Sequence, residues 1–187
     1  MTRIKIDRVW RIIFLFPLFF SVTTFAGNKT TVTIAGGIVH MRGRVMAGAC
    51  AVSPESEDKN VVMGQVRSNQ FHGEIGTWAD PVSFSLQLID CNTAASKQVA
   101  MIFNGVADGK DPQVFSAGEG AGAAKGVGIG LFDGQGDLIA PNTRARHSTS
   151  LTDGLVTVPF MAKYRSTSRQ VTPGDASARV TFSLYYP

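Results

Sequence analysis

Val82-Ser83-Phe84-Ser85-Leu86-Gln87-Leu88 alternates apolar and polar side chains, and Ile89-Asp90-Cys91 closes the run. A period of two puts the four apolar residues on one face of an extended chain, so the stretch reads as a strand with one face on a core and one in water. The pattern recurs downstream at Val99, Met101 and Phe103, and again at Val127, Ile129 and Leu131. Two longer runs follow: Val156, Val158, Phe160, Ala162 and Tyr164 share a face, as do Val180, Phe182, Leu184 and Tyr186. Turn formers separate them, such as Asp108-Gly109-Lys110-Asp111-Pro112, Asp133-Gly134-Gln135-Gly136 and Thr172-Pro173-Gly174-Asp175. Many short alternating strands punctuated by glycine and proline make an all-β sandwich or barrel.

Upstream, Arg3, Lys5, Arg8 and Arg11 precede an apolar run over residues 12–20, and Thr24-Phe25-Ala26 supplies small residues where a signal peptidase cuts. This is the pattern of a secretory signal over residues 1–26. The run is shorter than the roughly 20 apolar residues of a membrane anchor. Four of the 18 basic residues and one of the 14 acidic ones, Asp7, leave with it, so the mature chain is close to neutral. No basic patch with interleaved aromatics remains to bind nucleic acid. What is left is the size of one domain. Its two cysteines, Cys50 and Cys91, form no Cys-x-x-Cys pair. An even count in an exported chain reads as one disulfide.

The glycine- and alanine-rich tract over residues 118–130 invites a phosphate-loop reading, which fails on detail. Lys125 is followed by Gly126 where such a loop needs Ser or Thr, and a strand follows in place of a helix. The tract reads as a flexible surface loop entering a strand, with Gly128 and Gly130 on the strand's second face. His40, His72 and His147 are far apart and in no ligand motif, and there is no Gly-x-Ser-x-Gly elbow. No catalytic residue, metal, cofactor or small-molecule substrate is expected.

Both ends of the mature chain stand out. Residues 30–41 are apolar, alternating and rich in β-branched side chains, interrupted by Gly36-Gly37, and have no hairpin partner on their N-terminal side. At the other end, Pro187 directly follows the last alternating run, whose strand leaves an edge that is either paired with an earlier strand or open.

In its order of elements the mature chain resembles a type 1 fimbrial subunit. The resemblance is carried by Gly36-Gly37-Ile38-Val39-His40-Met41, Gly43-x-Val45 before Ala49-Cys50-Ala51-Val52, and a strand at Val62-Met63-Gly64-Gln65-Val66. Phe84-x-Leu86-x-Leu88 before Cys91, Phe103-Asn104-Gly105, Gly128-Ile129-Gly130-Leu131-Phe132-Asp133, Phe160-x-Ala162-x-Tyr164 and the penultimate Tyr186 complete it. The resemblance implies an incomplete immunoglobulin-like sandwich that lacks its final strand and is completed by a donor strand from a partner. The implied partners are neighbouring fimbrial subunits, a periplasmic chaperone and an outer-membrane usher, and the implied destination is a fimbrium on the bacterial surface with a part in adhesion.

Residue by residue, the resemblance divides the chain into a signal (1–26), a donor extension (27–41) and a pilin domain (42–187). Gly37, Val39 and Met41 would enter the neighbour's groove, Gly37 at its shallowest pocket. Ile34, also assigned to the donor strand, lies on the opposite alternation with Val32, so the face used near residues 30–36 stays open. Val180, Phe182, Leu184 and Tyr186 would form the acceptor groove and the chaperone contact. The stretches 103–112 and 160–165 resemble minor, rod-associated subunits that end or anchor the rod. Two other readings are a tip adhesin, which needs a second domain, and a monomeric secreted β-sandwich that binds ligands by its loops.

Overall fold

The computed structural model describes residues 48–187, together with Gly36 and Ile38. The described strands are β1 (Ala51–Val52), β2 (Val82–Cys91), β3 (Gln98–Asn104), β4 (Phe115–Ser116), β5 (Val127–Phe132), β6 (Leu138–Ile139), β7 (Thr149–Ser150), β8 (Gly154–Ser166) and β9 (Thr181–Tyr185). One short helix, α1 (Pro54–Glu57), and a 3-10 turn (Ser68–Phe71) lie between β1 and β2. The larger sheet runs β1-β2-β8-β5-β4, with β6 also on β5, and the smaller runs β7-β3-β9. The strand pairs within both are antiparallel.

β2 and β8 form the backbone of the larger sheet. Their register places Phe84 opposite Phe160, Leu86 opposite Val158 and Leu88 opposite Val156, which joins two alternating apolar faces into one. That face packs on Val99, Met101 and Phe103 of β3. The Phe103 ring meets Phe160 edge-on at 5.2 Å, and Phe84 stacks on the same ring at 5.6 Å. Edge and offset stacking of this kind adds to the gain from area alone.

Strict alternation along β2 puts Phe84, Leu86 and Leu88 inward and would put Cys91 outward. The register with β8 slips between Leu88 and Cys91, and Asp90 there adopts φ 51°. The extra residue flips the parity, as a bulge does, so that Cys91 is buried and bonded to Cys50.

Three expectations from the sequence need correction. β5 is buried on both faces, not one. Val114 packs over Gly128 and the Trp78 ring over Gly130, so the glycines make room for a covering layer. Residues 61–66 form no strand: among the described residues their backbone has no ladder partner, and alternation without one does not make a sheet. The tract over residues 118–126 is docked, held against residues 170–177 by main-chain hydrogen bonds such as Ala124 N–H to Asp175 C=O at 2.8 Å. Composition signalled a loop but could not signal its partner.

Candidate functional site: an open cleft at the edge of the sandwich

β9 is hydrogen-bonded along one edge to β3, from Ala100 opposite Tyr185 to Asn104 opposite Thr181. Among the described residues its other edge has no strand beside it. A cleft of about 1660 Å³ opens there. Its floor is the core itself, with Leu86, Phe103, Phe115, Ile129, Leu131 and Tyr164 reaching it. One wall is residues 57–66 and the other residues 171–182. The walls carry half-buried apolar side chains, Met63 and Val66 on one side and Val171, Val180 and Phe182 on the other. Charges sit at the margins: Glu57, Asp58 and Lys59 on the first wall, Asp175 and Arg179 on the second.

This is a long trough floored by apolar side chains and bordered by a ladder that is unpaired among the described residues. An exposed apolar patch that size and an open strand edge both favour association with another chain. Within the trough, the Tyr164 hydroxyl donates to the Ala176 carbonyl at 3.3 Å. Burial, with the nearby Asp175 charge, raises the Tyr164 phenol above its ordinary value. It is therefore a neutral donor at physiological pH.

Val180 and Phe182 face the cleft. Leu184 and Tyr186 continue the same alternation and pack on the core beyond it, where the Tyr186 hydroxyl hydrogen-bonds the Cys50 backbone. Cys50 and Cys91 are bonded, 41 residues apart in sequence. Ile34, Gly37, Val39 and Met41 lie outside the described residues.

Sequence reading missed one group. His147 Nδ1 lies 3.0 Å from Asp133 Oδ2 and 3.2 Å from Asp137 Oδ2. The other Asp133 oxygen accepts the N–H groups of Gln135 and Asp137, so the buried carboxylate is fully hydrogen-bonded within its own turn and by the histidine. The Asp133-Gly134-Gln135-Gly136 turn was legible as a turn; its histidine partner, 14 residues on, was not.

A family profile described as fimbrial protein matches residues 39–187. The chain belongs to the fimbrial protein family. It is a structural subunit of a fimbrium on the bacterial cell surface. Among related fimbrial subunits, the fimbrin-like protein FimI of Salmonella typhi is 45% identical over 159 residues, covering 83% of this chain and 88% of that one. The type-1 fimbrial protein A chain of Escherichia coli is 36% identical over 178 residues, covering 94% and 96%. Among solved structures, the P pilus rod subunit PapA superposes with a TM-score of 0.64 at 20% identity, over 75% of this chain and all of that one. That likeness concerns the fold, and with it the sandwich of this fimbrial subunit is an immunoglobulin-like one lacking its last strand.

Proposed function

We propose that the cleft is the acceptor groove of donor-strand exchange. A periplasmic chaperone strand fills it first, and the N-terminal extension of a neighbouring subunit fills it in the fibre. The observation that carries this is the conjunction of a β9 edge with no strand beside it among the described residues and a trough floored by core side chains. A strand laid there would pair with β9 through main-chain hydrogen bonds and seat alternate side chains against the floor, the mode known as β-strand addition. Residues 1–26 are then the removed signal, 27–41 the donor extension with Gly37, Val39 and Met41 as groove-facing residues, and 42–187 the domain. The outer-membrane usher is the site of exchange.

Two experiments test this. A chain lacking residues 27–41 is expected to co-purify with its chaperone from the periplasm and to be absent from surface fibres. A synthetic peptide of residues 30–41 is expected to keep that truncated chain soluble after refolding. A truncated chain that stays a stable monomer with neither chaperone nor peptide would refute the groove, and would favour a self-sufficient secreted sandwich.

The stretches 103–112 and 160–165, which resemble minor rod-associated subunits, meet where Arg165 pairs with Asp111 at 3.2 Å. They support a place at the end or base of the rod. Immunogold labelling is expected to mark rod ends sparsely; labelling along the whole rod would make this the repeating subunit.

A further inference from the structure

The groove wall over residues 171–180 belongs to no strand; β9 begins only at Thr181. Its main-chain bonds run instead to the glycine-rich tract. Gly118 N–H donates to Ser177 C=O at 2.7 Å, Ala124 N–H to Asp175 C=O at 2.8 Å and Asp175 N–H to Gly122 C=O at 2.9 Å. Thr172 and Lys125 exchange a further pair at 3.0 and 3.2 Å. Two extended segments are thus buttoned together outside either sheet.

Such an approach needs the absence of side chains. A Cβ on Gly118 would lie 2.2 Å from the Asp175 carbonyl oxygen, and one on Gly126 2.6 Å from that of Gln170. A Cβ on Gly174 would lie 2.5 Å from the Ala123–Ala124 backbone. The atoms met are backbone and cannot swing aside. Gly118 and Gly126 also have φ of +78° and +74°, where L side chains are strained. Gly122, in the same tract, has open space around it and no such φ.

We infer that Gly118, Gly126 and Gly174 are positioning residues for strand capture, forming a clasp that presets the wall of the groove next to Val171, Ala176 and Val180. The inference rests on the acceptor-groove reading. A wall fixed in advance spares the incoming strand the ordering of ten residues during exchange, which is the advantage of preorganisation. The clasp acts on how fast a donor is captured and leaves the core, the disulfide and the opposite wall untouched.

The test uses the full chain co-purified with its chaperone, and the peptide of residues 30–41 as donor. The displacement rate is followed against peptide concentration. Gly174→Ala and Gly118→Ala are expected to slow displacement by about tenfold, with the disulfide unchanged. Gly122→Ala is expected to stay within about twofold of the parent. Parental rates in Gly174→Ala and Gly118→Ala would overturn the clasp. A parent chain that never takes up the peptide would instead overturn the groove reading. Should the variants fail to accumulate, hydrogen exchange on the parent complex decides. The Ala124, Lys125, Thr172 and Asp175 amides are expected to be protected before peptide is added, and exchange at free-loop rates would sink the proposal.

Discussion

The Tyr186 hydroxyl accepts a hydrogen bond from the Cys50 N–H at 3.1 Å and donates one to the Cys50 carbonyl at 3.3 Å. One phenol thereby joins the end of the chain to the disulfide, across 136 residues of sequence. Tyr186→Phe keeps the ring in place and removes both bonds. The expected cost is about 1–2 kcal/mol, the worth of a lost hydrogen bond plus a partly buried amide left unpaired. Urea unfolding of the peptide-filled domain measures it, and an unchanged midpoint would show the contact to be energetically idle.

Replacing Cys50 and Cys91 together by serine should cost about 4 kcal/mol, since the bond closes a loop of some 40 residues in the unfolded chain. The exported parent protein should expose no free thiol to a maleimide reagent under denaturing conditions. Two reactive thiols would contradict the pairing.

Tyr164 gives a pH signature. Its phenol is raised above 10.0 by burial first and by Asp175 second, so the folded domain favours the neutral form. The associated stability is fully present below the unfolded value, near pH 10, and is lost as pH rises through the folded value. Tyr164→Phe should be less stable than the parent at about pH 8 through loss of the Ala176 hydrogen bond. The gap should narrow towards about pH 11, where only the parent must keep a phenol protonated. A constant gap across that range would exclude the linkage.

Gly130→Val should destabilise by about 1–3 kcal/mol through overpacking. A Cβ at residue 130 would stand 2.6 Å from two Trp78 ring atoms, and that ring is held edge-on by Phe132 and stacked under Arg165. Near-ultraviolet circular dichroism should report the displaced tryptophan. An unaltered spectrum with unaltered stability would mean that Trp78 moves freely.

The sequence carried the inner faces of β2, β8 and β9 because each buries one side and leaves the other more open to solvent, and alternation encodes that condition directly. Phe84, Leu86 and Leu88 were legible for this reason. It did not carry the bulge at Asp90, which depends on a φ that Asp adopts at modest cost and that no pattern announces. Nor did it carry the second covered face of β5, because Trp78 arrives from 52 residues away and two glycines look like flexibility when read alone. Met63 and Val66 line a wall and form no strand among the described residues, while Val62, which alternation places with Val66, is exposed: hydrogen-bond pairing requires a neighbour that no apolar pattern supplies. The residues of the cleft were thus partly legible at Val180 and Phe182, whereas its glycine clasp was invisible.

The disulfide also determines how the domain carries tension. β1 engages β2 through only two residues, Ala51 and Val52. Force applied to the polypeptide ahead of Cys50 would peel so short a strand from the sheet. The sulfur bridge diverts that load into Cys91 at the end of β2, a strand whose long register with β8 resists shear along many hydrogen bonds at once. A pull on the segment ahead of Cys50 would therefore reach the central strands through a covalent bond.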